Sequence, residues 1–394
     1  MDLRPWILAA AASFTLGACK KQEAPAPVAP PAKQAAPAPA AVDASARSAK
    51  LDNSTPSVAG KSDPECAGPI DHAVPAELTI GGKKAELNGY KLTFAEDGRD
   101  ADSIAVFGVI ANVNEDSGEN LVNLRKYVEF FKSENVEAIL VAGDTGESKE
   151  SIARALTPLA ETGLPLFVTI GNRECRADFN DAISALQKKF ANVVNMNKVR
   201  HVAYDDADLL SLPGYHDRRY IHCATGCQYF KQDVAALKQL AGEAKNPVVL
   251  ISHGPPKGSA PTAVDQATEA GNVGDSNLNA LILEANIPFG VFANIKEAGG
   301  RATDLDGTNV IREGTLADKL YLNPGPADSI AWAMNDGTQS VGMVAVLRIE
   351  GKQAMYKVFR AKELTAEEKA EAQKLAAAKS PAQAEPASAA QAAP

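Results

Sequence analysis

The sequence predicts an α/β fold. Two observations carry the prediction: short apolar runs that each end in a polar residue, and amphipathic helical stretches between the early ones. The runs are 104–110, 138–142, 166–170, 248–251 and 288–292. They deliver, in order, Asn112 and Asn114, Gly143-Asp144, Gly171-Asn172, Ser252-His253, and Asn294 with Lys296. Helical spacing of apolar residues covers 119–133, 149–161, 177–190 and 233–244. Strands that alternate with helices make a sheet whose polar residues gather at the strand C-termini, where such folds keep their sites.

The ends have a different composition. After Arg4, an apolar stretch over 6–16 leads to Leu16-Gly17-Ala18-Cys19, which resembles a bacterial lipoprotein signal. That resemblance implies cleavage before Cys19, a lipid on Cys19, and an address in the bacterial cell envelope, at the periplasm, the outer membrane or the cell surface. An ordinary secretory peptide is the other reading; Lys20 and Lys21 do not match the aspartate signal for inner-membrane retention. Residues 1–18 are thus read as the signal. Residues 19–63, rich in Ala and Pro, are read as a disordered tether, extended at about 3.1 Å per residue. The folded domain is expected over 64–362. Within 363–394, Thr365 and Glu368 form a capping box that opens a helix to about residue 379, before another Ala/Pro tail.

The 394 residues carry 40 Lys+Arg against 49 Asp+Glu, a formal charge of −9, which argues against a nucleic-acid partner. Aromatic residues are only 6%, too few for a sugar-binding or single-strand surface. No internal run is long enough to span a bilayer. There is no G-x-x-x-x-G-K-[ST], H-E-x-x-H or G-x-S-x-G, and no repeat.

The order of the polar blocks resembles the calcineurin-like metallophosphoesterases, whose motifs run D-x-H, G-D, G-N-H-[DE], H and G-H-x-H. Asp144 follows Asn112 by 32 residues and Asn172 follows Asp144 by 28, each gap fitting one strand-helix unit. His253-Gly254-Pro255-Pro256, Glu297-Ala298-Gly299-Gly300 and Asn323-Pro324-Gly325 are similar to the family as well. The resemblance covers roughly 100–360. It implies a four-layer α-β-β-α sandwich of two mixed sheets, with two metal ions between the strand ends.

The residues present depart from that pattern. The first ion of the family is held at positions that read Asn112, Asn114, Asp144 and Lys296 here. Of these, only Asp144 is a good ligand for a hard cation, because an ammonium has no lone pair to give and an amide carries no charge. The second ion maps to Asp144, Asn172, His253 and Asn294, so three of the four ligand types remain. The position of the family's general acid is Arg173, whose guanidinium does not release its proton. Losing one ion removes the clamp on an in-line displacement. Lys296 suggests a replacement, with its ammonium lodged in the first pocket beside Asp144; the bland reading has it pointing to solvent.

Two functions remain open. One is an envelope lipoprotein, impaired in two-metal hydrolysis, that binds a small phosphorylated ligand or an envelope protein. The other is a working hydrolase of phosphomonoesters or diesters with one divalent ion (Mn, Zn or Fe) at Asp144, Asn172 and His253, or with ligands recruited from Glu115, Asp116 or Glu174. The cofactor is accordingly one such ion or none.

Other residues are weighed more lightly. His216, Asp217, Arg218 and Arg219 read as a solvated loop that could line the cleft, and Asp265 and Asp275, in a Gly-rich loop after His253, as solvated loop residues that could shape it. His72, His201 and His222 have no evident partner. Besides Cys19 there are four cysteines, Cys66, Cys175, Cys223 and Cys227. They suit bridges in an exported protein, either Cys223 with Cys227 and Cys66 with Cys175, or another of the three pairings.

Overall fold

The computed structural model describes residues 55–96 and 102–378. The signal, Cys19 and most of the expected tether lie outside these residues. Period-two burial organises both sheets. In the strand Ile104–Ile110, Ala105, Phe107 and Val109 join one apolar cluster, while Val106 and Ile110 join another on the opposite face. The strand Ala138–Ala142 divides the same way, Leu140 to one side and Ile139 and Val141 to the other. A strand buried on both faces reads as an unbroken apolar run, which is why these segments are legible in the sequence.

One sheet has six strands, in the order Gln353–Arg360, Met343–Glu350, Ile104–Ile110, Ala138–Ala142, Leu166–Thr169, Val193–Asn195. The last four are parallel; Met343–Glu350 runs antiparallel to both of its neighbours. The other sheet has ten strands, from Ala76–Ile80 at one edge to Val310–Ile311 at the other, with Asp208–Leu212, Val248–Ser252, Phe289–Phe292 and Leu320–Asn323 parallel at its centre. Three apolar layers follow. The middle one lies between the sheets and includes Phe94, Phe107, Phe167 and Tyr204, whose rings meet edge-on or tilted around Tyr204 at 5.0–6.1 Å. A second packs the helices Gly118–Ser133, Lys149–Ala160 and Arg176–Gln187 on the six-stranded sheet. The third packs Lys231–Gly242 and Ser276–Glu284 on the ten-stranded sheet. The expected α-β-β-α sandwich of two mixed sheets is the observed architecture.

Both flanks of this body are packed onto it. Residues 55–63, assigned to the tether by composition, are hydrogen-bonded to the domain: Ser57 N donates to Asp275, Ser62 N and Oγ donate to Asp233, and Lys231 N donates to the Val58 carbonyl. The helix Ala366–Ala377 opens on the Thr365/Glu368 capping box and lies along Gly118–Ser133. Gly118 makes this approach possible, because a Cβ there would sit 1.9 Å from the Ala372 carbonyl oxygen. Lys126 and Glu368 pair at 2.7 Å across the contact. Among the described residues no helix is long and apolar enough to cross a membrane.

The cysteines pair as Cys66–Cys227 and Cys175–Cys223, which corrects the first of the expected pairings. Tertiary docking decides it. Ser62 bonds to the Gln228 carbonyl and Asp233, which brings Cys66 to Cys227. His222 N donates to the Asn172 carbonyl and Arg176 N to the Thr225 carbonyl, which lays Cys223 on Cys175.

Candidate active site

The strand ends converge as the sequence suggests, and their turns share an unusual backbone. Asn112, Asn114, Asp144 and Asn294 all have φ between 53° and 64°, the left-handed region that Asn and Asp tolerate better than other side chains. The asparagines therefore preserve the turn conformation even where they give up ligand chemistry. Gly171 is required for a different reason: a Cβ would lie 2.3 Å from Asp144 Oδ1.

Asp144 is the hub. It is 2% exposed, and its Oδ1 accepts from Asn172 N at 3.0 Å and Arg173 N at 3.1 Å. His253 Nε2 lies 3.3 Å from the same oxygen and 3.0 Å from Asn172 Oδ1, while its Nδ1 is 2.8 Å from the Ala142 carbonyl oxygen. Burial would raise the Asp144 pKa, but the His253 imidazole, with Lys296 and Arg173 further off, holds it down at about 2. Burial likewise opposes charge on His253, yet Asp144 raises its pKa above the ordinary value. His253 Nε2 thus faces both the Asp144 carboxylate and the Asn172 side-chain oxygen, and the carboxylate favours the charged form of the ring.

Glu174 supports this hub from behind. Its carboxylate accepts from Thr145 N at 2.6 Å, Thr145 Oγ1 at 3.0 Å and Gly171 N at 3.0 Å, tying the Asp144 turn to the Asn172 turn. Burial, reinforced by Asp144, pushes its pKa up to about 7. It is committed to those donors and is not free for recruitment as a ligand. Asp116 is committed too, paired with Arg154 at 3.2 Å, and Glu115 is exposed.

Lys296 neither points to solvent nor touches Asp144. Its Nζ lies 4.3 Å from the centroid of the Trp332 ring, and it interacts through space with both Asp144 and Asp328. Asp328, which sequence reasoning missed, is fully buried and accepts from Trp332 Nε1 at 2.8 Å and from Asn114 Nδ2. The nearest signal for it is Asn323-Pro324-Gly325, five residues before. Both amide atoms of Asn112 and the Oδ1 of Asn114 are buried with no hydrogen-bond partner among the described residues. Burial pushes the Tyr215 hydroxyl pKa up, and the nearby Asn294 side chain opposes that shift.

These residues do not fit a two-ion centre. At the first position there is one carboxylate, with unpaired amides and a lysine where imidazole and carboxylate are needed, and no group of three His, Cys, Asp or Glu side chains among the described residues is placed to hold a metal. At the second position the donors of Asp144, Asn172 and His253 converge at 3.0–3.3 Å, the spacing that adjacent ligands take around an ion with bonds of about 2.1 Å. Against this, the one carboxylate already faces the His253 ring at 3.3 Å and feels the charges of Lys296 and Arg173.

The remaining candidates are mostly structural. His216 and Asp217 are buried rather than solvated; only Arg218 and Arg219 are exposed, with Arg219 paired to Asp217. Asp265 and Asp275 are also fully buried. Asp265 accepts from Gly258 N, Gly274 N and Asn272 Nδ2, and Asp275 caps Ser276–Glu284. A loop that folds back on itself needs acceptors for its own amides, which is why carboxylates in a polar, Gly-rich stretch end up inside. His201 pairs with Asp208 at 2.5 Å in the core, His72 lies against Tyr90, and His222 is exposed, with its pKa lowered by partial desolvation of the ring and by Arg173.

His216 sets a pH dependence. Both ring nitrogens are unpartnered, and burial lowers its pKa despite the opposing charges of Asp275 and Asp217; Arg219 and Lys257 lower it further. Below about pH 6.5 the unfolded chain takes up a proton that the folded chain refuses, so stability falls as pH drops through that window. His253 acts in the opposite sense, so the test is a comparison. His216→Leu is expected to lose less stability than the parent between pH 7.5 and 5.0 in urea unfolding; equal losses would contradict it.

Residues 116–284 match the family model described as calcineurin-like phosphoesterase. The matched stretch contains Asp144, Asn172 and His253 but stops short of the first and last blocks on either side. No curated protein matches the chain. Similar solved structures include TT1561 of Thermus thermophilus (13% identity, 61% of this chain and 98% of that one, TM-score 0.41). GAP50, the anchor in the inner membrane complex of Plasmodium, is similar at 14% identity, covering 66% and 85%, with a TM-score of 0.42. A dimetal phosphatase from Danio rerio gives 12%, 66%, 99% and 0.40. At these identities and scores the likeness says nothing of this chain's chemistry. Residues 116–284, which lie within the two-sheet sandwich, are thus similar to a calcineurin-like phosphoesterase domain.

Proposed function

We propose that this chain is a lipoprotein of the bacterial cell envelope whose phosphoesterase-like domain serves as a binding module and lacks two-metal hydrolysis. The observation that carries the reading is Lys296, its Nζ over the Trp332 ring and within electrostatic reach of Asp144 and Asp328, where the family pattern has a metal-binding histidine. An ammonium within electrostatic reach of the hub carboxylate repels a divalent ion. Arg173 also lacks the proton-donor chemistry that a leaving group needs.

The protein's own residues then bind and orient instead. Asp144 holds the 171–173 turn through two backbone donors, and Glu174 holds that turn to Thr145. The test is the metal content of the purified full chain after incubation with manganese, zinc or iron, together with phosphomonoester and phosphodiester assays. Substoichiometric metal and the same background turnover in parent and His253→Ala are expected. Stoichiometric metal with turnover abolished by His253→Ala overturns the reading in favour of a one-ion hydrolase, which the convergence of Asp144, Asn172 and His253 favours.

The envelope address rests on Leu16-Gly17-Ala18-Cys19, and two disulfides suit an oxidising compartment. Cys19→Ser is expected to move the protein from the membrane fraction to the soluble one; an unchanged distribution would remove the lipid anchor.

A further inference from the structure

Beside the candidate site lies a cavity of about 360 Å³, within the range of small-molecule sites. We propose that it takes an organic cation, a quaternary or protonated ammonium on an apolar body, held by the rings of Tyr215, Tyr220 and Trp332 and by the carboxylates of Glu269 and Glu297. The inference rests on the binding-module reading above and names the class of ligand.

Three observations carry it. The first is the aromatic wall. Tyr215 and Tyr220 meet edge to face, with ring centroids 6.4 Å apart and planes at 85°, so they form two sides of a corner, and Trp332 supplies a further side of the cavity. The faces of such rings carry negative charge density and attract a cation, most strongly where water is excluded. Val273 and Ile295 add apolar surface for the carbon groups around the charge.

The second is the sign of the charge in the wall. Glu269 and Glu297 line the cavity, and no Lys, Arg or His among the described residues does. Two cations outside the wall reach its rings, and each has acidic neighbours. Lys296 Nζ, 4.3 Å from the Trp332 centroid, faces Asp144, Asp328 and Glu297, and Arg219, 5.6 Å from the Tyr220 centroid, pairs with Asp217 at 2.6 Å. An anionic ligand therefore meets two carboxylates, while a cationic one meets carboxylates and π-faces together.

The third is that the walls are already fixed. Thr268 N donates to Glu297 Oε1 at 3.1 Å, Asn335 N donates to the Glu297 carbonyl at 2.8 Å, and Asn335 Nδ2 donates to the Gln266 carbonyl at 2.6 Å. These bonds join the hairpin of Gln266–Ala267 and Gly271–Asn272 to the turn Lys296–Ala298 and to the segment that follows Trp332. A ligand then finds the site formed and spends little of its binding energy on ordering it.

The sequence has two tryptophans, so Trp6→Phe in the full chain leaves Trp332 as the reporter. In EDTA, benzyltrimethylammonium is expected to change the Trp332 fluorescence saturably. Calorimetry is expected to show binding about tenfold weaker for benzyl alcohol, which lacks the charge, and weaker still for benzoate, which reverses it. Glu297→Gln keeps the acceptor for Thr268 and removes the charge; combined with Glu269→Gln, it should weaken binding about tenfold, as should Tyr220→Leu, which keeps bulk and removes a π-face. Equal binding of the cation and the alcohol overturns the proposal, and so does undiminished binding in both variants. Absence of saturable binding in a protein that takes up no metal overturns this inference alone. Stoichiometric metal with His253-dependent turnover overturns the binding-module reading, whether or not the cation binds.

Discussion

Asp144→Ala is expected to destabilise the domain by about 3–5 kcal/mol, the cost of removing one partner from a buried ion pair. The carboxylate is 2% exposed and serves three donors: the backbone of Asn172, the backbone of Arg173 and the ring of His253. Deleting it leaves those donors unpaired and removes the charge that favours the protonated His253 ring, while Arg173 keeps its pair with Glu147 and Lys296 keeps Asp328. Asp144→Asn keeps an acceptor and should cost less. A carboxylate kept chiefly to hold metal behaves the other way, because clustered ligands in a metal-free protein carry strain that their removal relieves. Urea unfolding in EDTA distinguishes the two. A loss below about 1 kcal/mol for Asp144→Ala would mean that Asp144 is not the keystone described here.

The second large effect belongs to the Cys66–Cys227 bridge. It joins residues 161 apart, whereas Cys175–Cys223 joins residues 48 apart. In the chain-entropy account, the longer loop is worth about 5 kcal/mol and the shorter about 4. Both ends of the long bridge are buried, Cys66 at 4% and Cys227 at 0%, so strain from replacing them adds to the loss. The double variant Cys66→Ser with Cys227→Ser should therefore shift guanidinium unfolding more than Cys175→Ser with Cys223→Ser. The reverse order would show that native packing, and not loop closure, dominates. Mild reductant should open Cys175–Cys223 first, since both of its cysteines are partly exposed.

The two predictions concern different kinds of knowledge about the chain. Asp144, Asn172 and His253 are legible as a set, because each follows an apolar run and buried parallel strands must present their next polar residue at the sheet's C-terminal edge. The strands at 104–110 and 138–142 match their observed bounds, and those at 166–170 and 288–292 differ by one residue. The strands Ala76–Ile80, Lys83–Asn88 and Lys91–Phe94 carry no such signal. They lie toward a sheet edge with one face to solvent, so polar residues alternate through them and no apolar run marks them.

Asp328 and the burial of His216, Asp265 and Asp275 are illegible for another reason. Nothing local separates a carboxylate that faces water from one that gathers the amides of a distant turn; Asp275 serves Ser57, 218 residues away. The disulfide pairing is of the same kind, since it depends on which loops dock.

By itself the sequence determined the central strands, the helices between the early ones, the identity of the strand-end residues, and the residue types at positions 112, 114 and 296, because periodicity and side-chain chemistry are local properties. Only the tertiary structure decided that Lys296 stands over the Trp332 ring within electrostatic reach of Asp144 and Asp328, that Glu174 is consumed as a brace, and which cysteines meet. Those outcomes depend on distances between segments far apart in the chain, which packing sets and local composition does not encode.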